Sequence, residues 1–260
     1  EQFDQWREVA ERSSCQVIIL DVGTMIGNDL YLTALSICNE LIALSSSSPR
    51  SVIVKSKTLS SLARRIIHSQ RLLDGSVPIS QSQLQRTNEP YVIPCVGVNE
   101  YRRTIPYILR PGNDVIEVGC HFGRTTTLLN DAVNANSAKG LCVGVDIGPK
   151  IVATARKEHP SIPFEVVDAW KTLELLKIKV KHEHNAASTN LGYDVVYADI
   201  GGLSGANGLL ESLALLDALG NALQPSCIVI KSLCMNRLAS QLVAFSNVWN
   251  KIHRNENSSL

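Results

Sequence analysis

The sequence has none of the long apolar runs that cross membranes. No apolar run reaches the roughly 20 residues that a membrane-spanning helix needs, and no charged-then-apolar signal peptide stands at the start. We therefore expect a soluble protein with no membrane partner. Because the chain begins at Glu1 rather than Met, removal of a leader would leave targeting to an organelle open.

Cysteine patterns suited to disulfide or zinc chemistry are also missing. The seven cysteines are an odd number, most lie inside apolar runs, and none forms a CxxC pair. Such thiols are typical of a reducing, intracellular compartment. His182 and His184 stand two residues apart without a nearby third ligand, a pattern more typical of solvated side chains, so we predict no metal site.

A surplus of charge of either sign is absent as well. Lys and Arg total 25 against 24 for Asp and Glu, so the chain has no overall basic field, and a nucleic-acid partner would need a local patch. The 260 residues, 45% of them hydrophobic, are enough for one large or two small globular domains.

What the sequence does contain is a glycine-rich stretch from Asp114 to Thr127. An apolar run of strand type meets Gly119 and Gly123 and is followed by a helix-compatible segment, which predicts a strand, a tight turn and a helix. In a parallel sheet such a turn lies at a crevice where a ligand approaches the backbone and a helix N-terminus. A packing turn without a ligand would show the same pattern.

Acidic residues follow the next two predicted strands. Residues 141–145 lead to Asp146, about 20 residues after the turn, which is the spacing at which a carboxylate accepts hydrogen bonds from ribose hydroxyls. Residues 164–167 lead to Asp168. Together with Glu117, these acids are predicted to lie on one rim of a parallel sheet.

At these residues the sequence resembles the class I S-adenosylmethionine-dependent methyltransferases, over roughly residues 92–250. Glu117-x-Gly119-x-x-x-Gly123 is similar to that family's first motif, with His121 where a middle glycine is commoner, and residues 193–199 are similar to its fourth-strand motif. A nicotinamide dehydrogenase is less favoured, because ExGxxxG departs from GxGxxG.

The resemblance implies S-adenosylmethionine as the cofactor. The turn would lie near the methionine moiety, Asp146 on the ribose, and Asp168 by the adenine amine, with Trp170 available for stacking. The implied cofactor-binding residues are Glu117, Gly119, Cys120, His121, Phe122, Gly123, Asp146, Ile147, Asp168, Ala169, Trp170 and Asp199.

Two charged residues end neighbouring predicted strands close to the expected position of the sulfonium. Asp199 ends the fourth strand and Lys231 ends the fifth. A desolvated lysine beside a carboxylate loses its proton readily and could act as a general base for a hydroxyl, so Asp199 and Lys231 are the candidate catalytic residues. A structural ion pair is the competing interpretation.

The same two positions carry a narrower resemblance. Asp199 with the run Val229-Ile230-Lys231-Ser232-x-Cys234 is similar to the fibrillarin-like and other RNA ribose 2'-O-methyltransferases. That group also has a lysine before the first motif, where this chain offers Arg102 or Arg103, and arginine does not replace a lysine base. The implied partner is an unidentified methyl acceptor, either RNA or a small hydroxyl compound.

We predict an α/β fold with a doubly wound, mostly parallel sheet of the class I methyltransferase, Rossmann-like type, preceded by a smaller α/β unit. Residues 1–88 would form that unit and a linker, and residues 89–260 the S-adenosylmethionine-binding domain. Within the smaller unit, Asp21 and Lys55 repeat the pattern of Asp199 and Lys231. This similarity fits a degenerate half-repeat, or simply two strand–helix–strand units of the same shape, and no chemistry is expected from Asp21 and Lys55.

Several further predictions concern individual segments outside the predicted site. We expect a helix over residues 2–12, a linker over residues 73–98, a helix from Asn99 to Leu109, and an exposed edge strand or loop over residues 177–184. After Lys231 only one helix is expected, from Asn236 to Trp249, whereas the family usually adds two antiparallel strands. Those strands could lie outside this sequence, or the strands over residues 16–21 and 51–55 could replace them.

The competing functional class is a non-catalytic scaffold with a degenerate methyltransferase fold. The three acids Glu117, Asp146 and Asp168 argue against it, because a module that no longer binds the cofactor has no need of all three. The sequence does not determine the acceptor, the oligomeric state or the role of residues 1–88.

Overall fold

The chain divides into two compact units. The computed structural model describes residues 16–21, 30–44, 49–76, 89–182, 192–203, 205 and 208–243. Among these, the residues before Arg65, together with Val243, belong to a smaller unit, and Arg65–Leu242 form a larger one. The helix predicted over residues 2–12 and the residue His184 lie outside the described residues, and so do residues 77–88, where the boundary between the domains was predicted.

The elements of each unit follow the chain in order. The smaller unit contains β1 (Val17–Asp21), α1 (Leu30–Leu44), β2 (Ser51–Lys55) and α2 (Lys57–Arg65). The larger unit contains α3 (Ser69–Leu73), β3 (Tyr91–Cys95), α4 (Val98–Arg103), α5 (Ile105–Ile108), β4 (Val115–Val118), α6 (Arg124–Val133), β5 (Cys142–Asp146), α7 (Pro149–Glu158), β6 (Phe164–Val166), α8 (Thr172–His182), β7 (Val195–Ala198), α9 (Gly208–Leu223), β8 (Cys227–Lys231) and α10 (Leu233–Gln241).

The larger unit is built on a six-stranded sheet in the order β3-β8-β7-β4-β5-β6, with every neighbouring pair parallel. The chain runs outward from β4 through β5 to β6 and then returns to β7 and β8. The strand order thus reverses between β4 and β7, which opens a crevice at their carboxyl ends. This topology confirms the predicted doubly wound, Rossmann-like fold class.

The central strands are buried on both faces, as parallel sheets usually are. Every residue of β4 and β7 is buried. One face packs against Tyr101, Ile105 and Ile108, which join the strand residues in the main hydrophobic cluster. The near-continuous Val and Ile content of these strands explains why the sequence identified them without alternation.

The segment that we predicted to be a linker contains a strand. Residues 91–95 form β3, which lies parallel to β8 at the edge of the sheet. Ile67 donates its backbone N–H to the Val92 carbonyl on the outer side of β3, and Pro94, two residues further, faces that same side. The N–H that Pro94 lacks therefore costs no bond to β8, and prolines are tolerated at such edges.

The position of β3 also settles which strand lies beside β8. Among the described residues, β1 and β2 pair with each other in a separate parallel two-stranded sheet. Of the two alternatives left open by the sequence, replacement of the family's last strands by β1 and β2 is excluded, because β3 occupies the edge beside β8.

Three local predictions also need correction. The helix predicted from Asn236 to Trp249 begins earlier, at Leu233, and ends at Gln241. Residues 177–182, predicted as an exposed edge strand or loop, belong to α8. Leu175, Ile178 and Lys179 are its buried residues, at helical spacing. The ammonium of Lys179 is buried because it lies 2.9 Å from Asp114 and also binds the Gly192 carbonyl.

The helix predicted from Asn99 to Leu109 is divided into α4 and α5. It begins after Gly97 and not at Asn99, and the break comes at Thr104, two residues before Pro106. A proline has no N–H to continue the helical ladder. None of the described helices is long and apolar enough to cross a membrane.

Candidate functional site

The glycine-rich turn connects β4 to α6 and is shaped by its contact with β7. Gly119 has φ +82°, and a Cβ at this position would lie 2.1 Å from the carbonyl oxygen of Asp199. Its N–H donates to the carbonyl of Val145 at 2.8 Å. Only glycine allows this backbone to pass so close to the end of β7.

The turn is tied to the end of β5 through Asp146. One carboxylate oxygen accepts from the His121 N–H at 3.1 Å, and the other accepts from the Gly148 N–H at 2.9 Å. His121 adopts φ +49°, a region that His enters more readily than most residues, and its ring packs 3.9 Å from that of Phe122. Asp146 thus holds the turn while keeping a second lone pair on each oxygen for a ligand.

The ring of Phe164, on β6, packs against the turn at Gly123. A Cβ added to Gly123 would lie 2.6 Å from this ring, and one added to Gly144 of β5 would lie at the same distance. Gly123 has φ +79° and immediately precedes the first residue of α6. The two glycines let the ring fit between the turn and the sheet.

Glu117 is a buried acid in the middle of the site. Its carboxylate accepts from the Thr126 hydroxyl at 2.5 Å. Burial raises the pKa of Glu117 to about 8, with Asp199 raising it further, whereas the Thr126 hydrogen bond and the charge of Arg102 act in the opposite direction. At neutral pH this side chain is largely protonated.

A cavity of about 390 Å³ opens at the carboxyl ends of β4 and β7. Its lining residues are Val98, Arg102, Glu117, Gly119, Cys120, His121, Phe122, Arg124, Thr125 and Asp199. On its wall, the guanidinium of Arg102 donates to the Thr125 hydroxyl at 3.0 Å. The cavity therefore brings together most of the predicted turn residues with one of the two candidate catalytic residues.

Lys231, the second candidate catalytic residue, is not among the cavity's lining residues but binds Asp199, which is. Lys231 at the end of β8 forms an ion pair with Asp199, and their side chains are 33% and 21% exposed. The pair is thus only partly shielded from water.

The predicted adenine-side residues lie apart from this cavity. Asp168 accepts from the backbone N–H of Trp170 at 3.0 Å, which forms a tight turn after β6. Trp170 is 49% exposed and Ile147 is 69% exposed. Ile147, Asp168, Ala169 and Trp170 are not among the cavity's lining residues.

Four lining residues were not among the predicted site residues: Val98, Arg102, Arg124 and Thr125. The threonine run that begins two residues after Gly123 was the available signal, because it lies in the first turn of the predicted helix, next to the glycine-rich turn. Val98 had no such signal, since it reaches the cavity only through the packing of α4 on the sheet.

The side chains considered for metal and disulfide chemistry have other partners or none. His182 lies 2.8 Å from the carboxylate of Glu165. Among the described residues, the cysteines are free thiols, and no group of three His, Cys, Asp or Glu side chains is arranged to hold a metal.

Comparison with known proteins gives similarity at the level of structure alone. No family model matches the sequence, and no curated protein matches it. Solved structures that resemble it include a TehB-like SAM-dependent methyltransferase from Corynebacterium glutamicum, at 19% identity and TM-score 0.34, covering 50% of this chain and 60% of that one.

Two further structures are similar to the same degree. The sugar N-methyltransferase KedS8 from Streptoalloteichus has 16% identity and TM-score 0.35, over 52% of this chain and 46% of its own. A SAM-dependent methyltransferase from Geobacter sulfurreducens, in complex with S-adenosyl-L-homocysteine, has 16% identity and TM-score 0.32, over 62% of this chain and 53% of its own. This chain thus spans about half the length of these proteins, and any statement about its function depends on the geometry of its own site.

Proposed function

We propose that the larger unit binds S-adenosylmethionine and transfers its methyl group to a hydroxyl acceptor. The observation that carries this proposal is the ion pair of Asp199 and Lys231 at the rim of the cavity, where Asp199 lies in backbone contact with the turn at Gly119. An acid and a lysine at neighbouring strand ends beside a glycine-rich turn are suited to positioning and deprotonating a hydroxyl.

The residues of the cavity fit the polar groups of the cofactor. Arg102 offers a guanidinium for the methionine carboxylate. Glu117 offers a carboxyl for the ammonium group, which would favour ionisation of that buried acid. Asp146 retains lone pairs for the ribose hydroxyls, and Asp168 with Trp170 stands at the rim where the adenine is expected.

The chemistry divides between cofactor and chain. S-adenosylmethionine supplies an electrophilic methyl group when it is bound. The chain would position the acceptor hydroxyl for in-line transfer, and such positioning alone can contribute much of the rate enhancement. Lys231 would pass its proton to solvent and, as the neutral amine, accept the hydroxyl proton. Asp199 would orient the lysine and stabilise the ammonium that results.

Calorimetric titration with S-adenosylhomocysteine tests the cofactor site. We expect a dissociation constant in the micromolar range, about −8 kcal/mol, and at least tenfold weaker binding by Asp146→Ala. The matched control is Asp131→Ala, which removes an exposed aspartate on α6 and should bind normally. Equal affinities in the two variants would contradict the role of Asp146.

A second titration tests the contact of Arg102. Arg102→Met should weaken binding of S-adenosylhomocysteine at least tenfold, but it should leave 5'-methylthioadenosine unaffected, because that nucleoside lacks the amino-acid group. Equal weakening for both ligands would place Arg102 elsewhere in the site.

Turnover tests the catalytic pair once an acceptor has been found among RNAs and small hydroxyl compounds. Lys231→Met should reduce methyl transfer by at least a hundredfold at saturating cofactor, a loss within the usual range for an acid–base residue. Arg103→Met removes an exposed positive charge on α4 and should keep full activity. Intact turnover in Lys231→Met would disprove this mechanism.

A non-catalytic binding or scaffold role is the second candidate. It is favoured by the structural contacts of the same residues: Asp199 and Lys231 satisfy each other, and Asp146 braces the turn. The absence of detectable heat with S-adenosylhomocysteine, in both the native chain and Asp146→Ala, would support this role.

A further inference from the structure

The strand–helix–strand–helix segment of the smaller unit matches one in the larger unit, element by element. The first repeat is β1, α1, β2 and α2, and the second is β7, α9, β8 and α10. The first helix has 15 residues in one and 16 in the other, and the second helix has nine in both. The chain order and approximate lengths of the elements are therefore the same.

The pairing of the strands is also the same. In the first repeat Val17 lies opposite Ser51, and in the second Val195 lies opposite Cys227, both in parallel. These residues correspond in the sequence, so the register agrees without a shift. A one-residue difference would have exchanged the faces of one strand.

Two side-chain details recur at the carboxyl ends of the strands. Lys55 binds Asp21 at 2.9 Å, as Lys231 binds Asp199. Ser56 then accepts from the N–H of Leu59 at 3.2 Å, and in the second repeat Ser232 accepts from the N–H of Met235 at the same distance. A shared apolar pattern alone does not require the same ion pair and the same serine cap.

The two repeats differ in what covers them. In the first, the side chains of one sheet face are exposed: Val17 by 49%, Ile19 by 72% and Ile53 by 44%. The corresponding residues of the second repeat are buried: Val195, Tyr197 and Val229, exposed by 2% or less. Parallel sheets are normally covered on both faces, so the exposed face of β1 and β2 is exceptional.

In the larger unit, the corresponding sheet face and strand edge are both covered by other elements. There the equivalent face packs against Tyr101, Ile105 and Ile108 from α4 and α5. Among the described residues, β1 has no strand on the side opposite β2. This free edge corresponds to the edge of β7 that pairs with β4, the strand that leads into the glycine-rich turn. Both covering elements belong to the first half of the larger sheet.

We propose that the first repeat is the second half of another sheet of this kind, and that its exposed face and the free edge of β1 bind a polypeptide half-sheet. The bound half-sheet has the order of residues 89–167: an apolar helix for the face, a strand for the edge of β1, and a glycine-rich turn beside Asp21.

The test supplies such a half-sheet covalently. In the fusion, residues 89–167 are duplicated directly ahead of Asp4 in the full chain. Amide hydrogen exchange of residues 17–21 should be at least tenfold slower in the fusion than in the original chain, because the free edge of β1 becomes paired. Exchange that stays unchanged would overturn the proposal, whether or not the added segment folds.

Ile19→Lys provides the matched control. Because Ile19 is 72% exposed, this change should leave the melting temperature of the original chain unaltered, but a charge beneath the added helix should abolish the slower exchange in the fusion. Protection that survives in this variant would overturn docking on the face. Slower exchange in the original chain with rising protein concentration would instead identify a second copy as the occupant.

Binding of a second S-adenosylhomocysteine by the fusion is the functional counterpart, and this part rests on the proposed function. The original chain should bind one molecule and the fusion two. If neither binds any, the proposed function fails, while the exchange of residues 17–21 still decides the docking proposal.

Discussion

Gly119 meets two separate constraints, a left-handed backbone and a close neighbour. Gly112 has a similar φ of +89° but has no atom within 4 Å of an added Cβ, so Gly112→Ala measures the backbone strain alone. We expect Gly112→Ala to cost about 1 kcal/mol of stability. Gly119→Ala should cost at least about 3 kcal/mol, because the added methyl meets the carbonyl of Asp199.

Urea unfolding measures both variants, and calorimetry shows whether S-adenosylhomocysteine still binds. Gly119→Ala should lose binding together with stability, whereas Gly112→Ala should bind like the native chain. Equal losses of stability in the two would mean that the turn yields to the extra methyl group.

Glu117 should make the stability of the larger unit depend on pH. Its pKa of about 8 in the fold exceeds the ordinary value of 4.5, so the folded state keeps a proton that the unfolded chain releases between these values. The contribution of Glu117 to the free energy of unfolding is therefore fully present at low pH. It declines as the pH rises toward 8, by up to about 1.4 kcal/mol per pH unit.

Glu117→Gln tests this behaviour, because glutamine has a similar shape and does not titrate. Urea midpoints measured at pH 6 and pH 8 should fall for the native chain and change less for the variant. The same decline in both proteins would show that another group carries the pH dependence.

Individual residues of the site were predictable where backbone chemistry restricts the residue type. Gly119 and Gly123 marked the turn because few other residues adopt a positive φ. Asp146 was correctly placed at the end of β5, but its two backbone hydrogen bonds were not foreseen. They join residues 25 positions apart in one case, and no local pattern reports such a contact.

Among the elements, β3 determines which strand forms the edge of the larger sheet beside β8. Ile93 is fully buried in the main cluster, and Ile93→Ala should cost about 2–4 kcal/mol. Val96 follows the strand and is 52% exposed, so Val96→Ala should cost less than about 0.5 kcal/mol. Denaturant unfolding compares the two, and equal small effects would mean that β3 does not belong to the sheet.

The elements that sequence reasoning misjudged share one cause. In α8 the alternation of lysines with apolar residues resembled an edge strand, yet Lys179 is buried by its partners Asp114 and Gly192, which are remote in the sequence. Pro90 and Pro94, before and within β3, favoured a linker, yet an edge position needs no N–H from Pro94. Both errors come from treating a residue type as a fixed guide to exposure when tertiary partners decide it.

For the molecule as a whole, ligand binding should distinguish the two units. S-adenosylhomocysteine at 100 times its dissociation constant stabilises the state that binds it by about 2.7 kcal/mol. Amide exchange should therefore slow in β4, β5 and the turn, and remain unchanged in β1 and β2. Protection that extends into β1 and β2 would contradict a site confined to the larger unit.

The order of five of the six strands in the larger sheet was within reach of the sequence. Successive strand–helix pairs with right-handed crossovers leave few arrangements, and the acids at the strand ends marked the shared rim. The sixth position was not predictable, because β3 joins β8 across more than 130 residues of chain and β1 and β2 carry an equally apolar pattern. Only the packed structure decides among strands of similar composition.

The ring of Phe164 between Gly123 and Gly144 links three positions that are far apart in the chain. A methyl group at either glycine has no room while this ring is present, and a smaller side chain at position 164 leaves a void that would accept one. Phe164→Leu should therefore partly rescue Gly144→Ala, although each change alone is harmful. During evolution, substitutions at these three positions should therefore occur in compensating pairs. Such covariation among related sequences would reveal this contact without a structure.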